Sequence, residues 1–260
     1  MGKFDGFLIC SDIDGTFTGD EGVAEVNKEA VKYFVENGGR FTFTTGRMAS
    51  YLVECGLSDI TNAPACICNG SVVYDYESGR VLAVTYMDFT IREFLNEITE
   101  KLLPSGKADI YYTHDASGHI RYTPGDILDA DLLDRKPLKL VCRFETVREA
   151  DDFKSYALGC SMFKSCYISK SWSTGVELNS EDATKGHALD FIKAHIGNIR
   201  TSIGIGDYEN DIPLLKHADL GVAVGNALDE VKQAADMIVK INHEFAIKDL
   251  IEKLDKNLEG

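Results

Sequence analysis

Basic residues are scarce in this chain of 260 residues. It has 27 lysines and arginines against 42 aspartates and glutamates, which gives a formal net charge of −15. Binding to a nucleic-acid backbone needs clustered positive charge, so this composition argues against a nucleic-acid partner. A small phosphorylated molecule is not excluded, because a bound divalent metal can reverse the local field.

The sequence also lacks a disulfide framework and long apolar runs. Its seven cysteines are an odd number without repeated spacing, which predicts reduced thiols and a cytoplasmic protein. No apolar stretch is long enough to span a bilayer, and the first residues show no signal-peptide pattern. We therefore expect no membrane partner, and a monomer or a small homo-oligomer.

What the sequence does contain is a pair of aspartates at the end of an apolar strand. Residues 9–16 read ICSDIDGT, so Asp12 and Asp14 lie on one strand face as the strand ends. Two converging carboxylates are costly unless a cation neutralises them, and their oxygens suit Mg²⁺. One could attack an electrophile while the other moves a proton. A plain surface turn is the alternative for this tetrapeptide alone.

The first part of the chain has the alternating order of a parallel sheet. Residues 7–10, 40–44 and 65–68 predict strands, and two amphipathic helices separate them, the first with Asn27 as its N-cap. This β-α-β-α-β order favours a parallel sheet covered by helices. The same alternation returns after residue 185.

The middle of the chain has a different pattern. Three hairpin signals occur, at residues 77–79, 115–118 and 173–175. Hairpins imply antiparallel pairing, which a parallel core does not use. We therefore predict an α/β fold in which a discontinuous core, residues 1–86 and 181–260, carries an inserted α+β cap over residues 87–180.

Three further motifs are placed to meet the aspartate pair. Residues 44–47 (TTGR) lie between a strand and a helix, Lys185 and Gly186 open a helix, and residues 206–211 (GDYEND) follow a strand. Ligands of open parallel sheets bind at the carboxyl ends of the strands. We therefore expect these motifs to form one site.

Each motif offers a group that a phosphoryl substrate needs. Mg²⁺ held by Asp12, by a backbone carbonyl near Asp14 and by Asp207 would offset negative charge. Lys185 would act as a point charge on a phosphate oxygen, and the Thr45 hydroxyl with the Gly46 amide would hold another. Positioning and electrostatics of this kind supply most of the catalysis in phosphoryl transfer.

The combination resembles the haloacid dehalogenase (HAD) superfamily, in particular its phosphatases with the type IIB (Cof-like) cap. The resemblance covers nearly the whole chain. DIDGT at residues 12–16 and GDYENDIPLL at residues 206–215 are specific together, whereas TTGR and TKGHAL are weak alone. It implies a HAD-like Rossmannoid parallel-sheet core with an α+β cap inserted into it.

The resemblance also implies roles for individual residues. Asp12 would be the nucleophile that forms an aspartyl-phosphate, and Asp14 the general acid and then the base. The implied catalytic residues are Asp12, Asp14, Thr45 and Lys185; the implied metal ligands are Asp12, Asp14, Asp207 and Asp211. The implied substrate-binding residues are Thr45, Gly46, Arg47, Asn69, Lys185 and Asn210.

Some of these positions have a plainer interpretation. Arg47 could be a surface salt-bridge partner as readily as a substrate contact. Asn69 could be part of a turn rather than a hinge or substrate residue, and Thr45 could be a helix N-cap. Tyr208 and Glu209 fill variable positions of their motif and are assigned no role.

We therefore expect a Mg²⁺-dependent phosphatase for a small phosphorylated metabolite. Sugar phosphates come first as substrates, and phosphorylated cofactors such as pyridoxal phosphate or a flavin nucleotide come second. A phosphosugar mutase with the same nucleophile and a non-catalytic module that binds a phosphorylated ligand remain alternatives. In the cap, Trp172 and the Tyr111-Tyr112 pair are expected in the core or on the surface, and the acidic sequence shows no carboxylate-binding cluster.

Overall fold

A computed structural model describes residues 2–19, 22–103 and 105–259. The strands are β1 (Phe7–Ser11), β2 (Thr18–Gly19), β3 (Gly22–Val23), β4 (Arg40–Phe43), β5 (Ala65–Ile67), β6 (Val72–Asp75), β7 (Arg80–Val84), β8 (Lys107–Tyr111), β9 (His119–Tyr122), β10 (Lys139–Arg143), β11 (Cys166–Trp172), β12 (Gly175–Ser180), β13 (Thr201–Gly206), β14 (Leu220–Ala223) and β15 (Met237–Ile238). The helices are α1 (Glu25–Glu36), α2 (Ala49–Glu54), α3 (Ile91–Ile98), α4 (Ala130–Leu133), α5 (Val147–Gly159), α6 (Lys185–Ile196), α7 (Ile212–His217), α8 (Asp229–Ala234) and α9 (Ala246–Glu259).

A five-stranded parallel sheet forms the centre of the core. Its order is β15-β14-β13-β1-β4, so the strand that carries the aspartate pair lies between two parallel neighbours. Helix α1 packs against β4 and α9, and α7 packs against α6 and β13. Apolar residues such as Leu8, Ile9, Ile203 and Ile205 are fully buried in this core. The predicted α/β fold class is confirmed.

A second sheet is entirely antiparallel. Its order is β11-β12-β10-β8-β9, and it has its own hydrophobic cluster with residues of α3 and α5, among them Phe94 and Phe153. We call this sheet with α3, α4 and α5 the cap. Capping boxes start both α3 and α5, at Thr90 and Thr146. The predicted domain boundaries at residues 86 and 181 stay a prediction.

The predicted third parallel strand joins the core sheet only weakly. β5 meets β4 through one parallel bridge between Thr44 and Cys66, and then pairs antiparallel with β6 and β7. A small cluster that includes Ile67 and Val72 packs there with Leu138 of the cap. This segment therefore connects core and cap. Among the described residues, no helix has the length and apolar character that crossing a membrane requires.

The prediction of Asn27 as an N-cap is wrong. Helix α1 begins two residues earlier, at Glu25, and Asn27 is fully buried within it. Its Nδ2 atom donates to the Phe17 carbonyl at 3.0 Å, and its Oδ1 atom accepts from the Lys248 amide at 3.3 Å. A residue type that favours caps is used here to join α1, the loop after β1 and α9.

Replacement of Asn27 by alanine should therefore destabilise the core. The Phe17 carbonyl and the Lys248 amide lose their side-chain partner, and an unsatisfied buried polar group costs about 1–3 kcal/mol. Glu29→Ala changes an exposed side chain of the same helix and should stay within about 0.5 kcal/mol. Urea unfolding of both variants measures the difference; equal stabilities would contradict the proposed role of Asn27.

Candidate active site

The carboxyl ends of three adjacent strands form the floor of the site. β1 lies between β4 and β13, and all three are parallel. The Asp12 amide donates to the Ile205 carbonyl at 2.9 Å, and the Thr44 amide donates to the Ser11 carbonyl at 2.8 Å. The motifs that follow these strands are thereby held side by side.

Three carboxylates converge at this edge around one ammonium group. One oxygen from each of Asp12, Asp207 and Asp211 lies within 4.8 Å of the others. The Nζ atom of Lys185, at the start of α6, donates to Asp12 Oδ1 at 2.6 Å and to Asp211 Oδ1 at 2.5 Å. The lysine side chain is 0% exposed. Three acids share one base, so negative charge is in excess.

Burial and mutual repulsion act on the acids of this cluster. Burial raises the pKa of Asp12 well above its usual range, with Lys185 opposing the shift and Asp211 adding to it. Burial also raises the pKa of Asp207 to about 7, and Asp211 adds to that shift. For Lys185, burial lowers the pKa but the two carboxylates outweigh it, so the pKa is raised. This cluster of three acids lacks positive charge, and such a cluster suits a hard cation such as Mg²⁺.

Glycine at position 15 lets the first and last motifs approach each other. Gly15 has φ of +85°, and a Cβ atom there would lie 2.4 Å from Asp207 Oδ2. The neighbouring Thr16 hydroxyl donates to Asp207 Oδ1 at 2.8 Å. Asp211 Oδ2 accepts from the amides of Asp207 and Tyr208 at 2.9 and 3.1 Å. A side chain at residue 15 would therefore displace Asp207.

Asp14 lies apart from the three converging carboxylates. Arg47 holds it in a two-pronged ion pair, Nε to Oδ2 and Nη2 to Oδ1, both at 2.9 Å. The guanidinium also lies over the Tyr51 ring, 4.6 Å from its centroid. The salt bridge predicted as one interpretation of Arg47 is present; contact with a substrate stays a prediction, although Arg47 also lines the cavity described below. Metal contact through the Asp14 backbone carbonyl stays a prediction.

Thr45 does not cap a helix. Helix α2 begins at Ala49, whereas the Thr45 hydroxyl accepts from the Arg47 amide at 3.1 Å. Thr45 itself is buried. The next residue, Gly46, has close neighbours from two other segments: a Cβ atom there would lie 2.8 Å from Lys139 Nζ and 2.9 Å from Asn69 Oδ1. The loop after β4 therefore contacts both the cap and the segment that follows β5.

Asn69 joins three parts of the molecule. It is buried, with φ of +61°, a left-handed conformation that asparagine tolerates. Its Nδ2 atom donates to Glu177 Oε2 at 2.6 Å, and its Oδ1 atom accepts from Asn210 at 3.2 Å. Asn179 of β12 donates in turn to the Cys68 carbonyl at 2.9 Å. These contacts bring both Asn69 and Asn210 to the boundary between core and cap.

A cavity of about 530 Å³ opens between the strand ends and the cap. Its core side includes Asp12, Asp14, Arg47 and Asp207. The cap contributes Tyr111, Lys139, Val141, Arg143, Ser171, Trp172 and Glu177. Trp172 and Tyr111 therefore lie on the cap surface that faces the core, and Tyr111 also packs against a small apolar cluster. Tyr112 does pack with the apolar cluster of the cap.

A period-two pattern in β10 could have identified the cavity face of the cap. Lys139, Val141 and Arg143 line the cavity, whereas Leu140 and Cys142, which alternate with them, are buried in the cap. Lys139 and Glu177 form a buried ion pair at 2.7 Å, and Lys139 Nζ donates to the Gly46 carbonyl at 3.0 Å. The alternation is present in the sequence, but it does not show which face of β10 meets the core.

The sequence profile of haloacid dehalogenase-like hydrolases matches residues 9–251. The chain belongs to this family. 5-Amino-6-(5-phospho-D-ribitylamino)uracil phosphatase YcsE of Bacillus subtilis (strain 168) is 28% identical to this hydrolase over 251 residues, 92% of each chain. Pyridoxal phosphate phosphatase YbhA of Escherichia coli (strain K12) is 26% identical, over 94% of this chain and 97% of its own.

A solved structure has the same fold. The HAD subclass IIB sugar phosphatase BT4131 superimposes with a TM-score of 0.76 and 19% identity, covering 95% of this chain and 98% of its own. The predicted superfamily and the predicted enzyme class, a HAD-type phosphatase, are confirmed. The roles of the individual site residues remain proposals.

In this hydrolase, Glu209 connects the loop of Asp207 and Asp211 to the cap. Its carboxylate pairs with Lys154 of α5 and accepts from the Lys170 amide of β11 at 2.9 Å. Its carbonyl accepts from the Tyr167 hydroxyl at 3.0 Å. Glu209, to which the sequence assigned no role, therefore links the cap to this loop.

Glu209→Ala should loosen the cap along β11. The Lys170 amide and the Lys154 ammonium lose their acceptor. If opening then costs about 1–3 kcal/mol less, amide exchange should be roughly 5- to 150-fold faster. Amide hydrogen exchange followed by mass spectrometry should show the increase both in residues 166–172 and in residues 207–211. Glu230→Ala, at an exposed site, is the control. An increase confined to residues 207–211 would contradict the connection.

Proposed function

We propose that this protein is a Mg²⁺-dependent phosphatase that hydrolyses a small phosphorylated metabolite, with sugar phosphates as the first candidates. The observation that carries the proposal is the buried contact of Lys185 with Asp12 and Asp211, beside Asp207. It orients one carboxylate as a nucleophile within a cluster that still needs positive charge. A phosphate ester and a divalent cation would complete that arrangement.

Asp12 and Asp14 would divide the chemistry between them. An oxygen of Asp12 attacks phosphorus, the bond to the leaving oxygen breaks, and an aspartyl-phosphate forms. Asp14 gives its proton to the leaving oxygen and then takes one from water, whose oxygen attacks phosphorus and regenerates Asp12. Arg47 orients the Asp14 carboxylate through its two-pronged contact, and both residues line the same cavity.

The remaining residues would position the phosphoryl group and the metal. Asp12, Asp207 and the backbone carbonyl of Asp14 would hold Mg²⁺, with Asp211 supporting them. Bound there, the ion supplies positive charge that neutralises the phosphoryl oxygens. Thr45, Gly46 and Lys185 would hold those oxygens, and Asn69 and Asn210 would lie next to them.

The size of the cavity supports a small substrate. About 530 Å³ lies in the usual range for metabolite sites and is far too small for a folded protein. The two relatives and the sugar phosphatase are also named for small phosphorylated substrates. A cytoplasmic location belongs to the same proposal.

Phosphate release from p-nitrophenyl phosphate and from a panel of sugar phosphates tests the activity. We expect release with Mg²⁺, none with EDTA, and a loss of about 10³-fold or more in Asp12→Asn, because the variant lacks the nucleophile. Asp152→Asn, an exposed carboxylate on α5, is the matched control and should keep full activity.

Two outcomes would contradict this proposal. Activity that survives Asp12→Asn would exclude Asp12 as the nucleophile. Binding of sugar phosphates without phosphate release from any of them would exclude hydrolysis and favour the mutase or the binding module. A requirement for a bisphosphate activator would then identify the mutase.

The metal site can be tested without turnover. Mg²⁺ should raise the Tm of the wild-type protein, since a ligand at 100 times its Kd stabilises by about 2.7 kcal/mol. Asp207→Asn should lose most of this shift, because it replaces one of the three converging carboxylates by a neutral amide. Differential scanning fluorimetry measures both, with Asp152→Asn as the control that keeps the shift. A full shift in Asp207→Asn would place the cation elsewhere.

A further inference from the structure

The cap side of the cavity carries an excess of positive charge. Lys139 is neutralised by Glu177, its buried partner at 2.7 Å. Asp109, only 2% exposed, is shared by two arginines: Arg121 Nε donates to it at 2.6 Å, and Arg143 Nε donates to its other oxygen. Of these charged groups, Lys139, Arg143 and Glu177 line the cavity, so two basic groups face one carboxylate there in a protein whose net charge is −15.

Arg143 is the basic group of this set that is both fixed in place and open to a ligand. Its guanidinium carbon lies 4.8 Å from the centroid of the Trp172 ring, and Nε is held by Asp109. Burial opposes ionisation of Asp109, but the hydrogen bonds from Arg121 and Arg143 outweigh it and hold its pKa below the ordinary value. Within residues 2–19, 22–103 and 105–259, neither Nη atom of Arg143 has a hydrogen-bond partner.

Arg143 lies where the leaving group of a bound phosphate ester would be, and not where its phosphoryl group would be. Arg143 and Trp172 line the same cavity as Asp12 and Asp14, from the opposite, cap side. The other arginine of the cavity, Arg47, is already engaged with Asp14 on the core side. A substrate whose phosphoryl group meets Asp12 therefore directs its remaining part toward Arg143.

Resting on the function proposed above, we propose that Arg143 forms a subsite for a second anionic group of the substrate. The preferred substrates are then phosphomonoesters whose leaving group carries a carboxylate or a second phosphate. The two Nη groups of Arg143 can donate paired hydrogen bonds to either anion. A neutral hydroxyl offers neither the charge nor the two acceptor oxygens that this arrangement suits. This proposal departs from the expectation, drawn from the acidic cap sequence, that the cap has no carboxylate-binding cluster.

Matched substrate pairs test this subsite. 6-Phosphogluconate and sorbitol 6-phosphate differ only in a carboxylate against a hydroxymethyl group, and fructose 1,6-bisphosphate and fructose 6-phosphate differ in a second phosphate. The ratio of kcat/KM within each pair is measured for the wild type, Arg143→Gln, Arg143→Lys and Arg121→Gln. Arg121 is the matched control, because it shares Asp109 with Arg143 but does not line the cavity.

We expect the wild type to favour the charged member of at least one pair about tenfold or more, and the pair identifies the anion. Arg143→Gln should bring that ratio close to one, Arg143→Lys should restore part of it, and Arg121→Gln should keep it. A wild-type ratio near one in both pairs, or a ratio unchanged in Arg143→Gln, would overturn the subsite. Thermal unfolding establishes that each variant is folded.

A binding measurement separates this proposal from the proposed function. Calorimetric titration of Asp12→Asn with the same pairs, in Mg²⁺, gives the ratio of Kd values without turnover, and Asp12→Asn/Arg143→Gln gives the ratio without the subsite. Absence of phosphate release by the wild type would refute the phosphatase while leaving the Kd ratio to decide the subsite. Equal Kd values within both pairs would refute the subsite even if every compound is hydrolysed.

Discussion

The packing of three carboxylates around the buried ammonium of Lys185 is the constraint on which the site depends. Each carboxylate must lie close enough to Lys185 to be stabilised by its positive charge. One ammonium group does not neutralise three carboxylates. The chain meets this requirement with small residues at the points of contact: a Cβ atom on Gly15 would meet Asp207, and one on Gly206 would lie 2.3 Å from Asp211 Cγ. Larger side chains would therefore not fit at residues 15 and 206, and the proposed Mg²⁺ would supply the positive charge that the cluster lacks.

The cap takes part in the same electrostatic arrangement. Lys139 reaches from β10 to the Gly46 carbonyl, and Glu177 on β12 accepts from Asn69, so a buried ion pair of the cap lies directly on the loop after β4. Removal of one member would leave the other charged and buried, which is far more costly than loss of a surface pair. The cavity is thus closed by these polar contacts and by the small apolar cluster of Ile67, Val72 and Leu138, while the two large apolar cores remain separate.

The sequence predicted the core side of the site well because its signals are local. A strand followed by Asp12, by Thr45 or by Asp207 indicates a position at one sheet edge, and parallel pairing of neighbouring strands then brings these residues together. Asn27 was misjudged because a cap-forming residue type was used for a buried contact to Lys248, far along the chain. The cavity positions of Trp172 and Arg143 were not predicted for a related reason: alternation along a strand defines a face, but only the docking of cap on core decides what that face meets.

The contact of Glu209 with the cap has a consequence for how this chain can diverge. Glu209 stands between residues that hold the acidic cluster together, and its partners Lys154, Tyr167 and Lys170 all belong to the cap. In the proposed phosphatase, single substitutions on the cavity face would change which leaving groups are accepted without touching these partners. Replacement of the cap as a whole would remove all three at once, so new specificities are reached more easily by drift within this cap than by recombination with another.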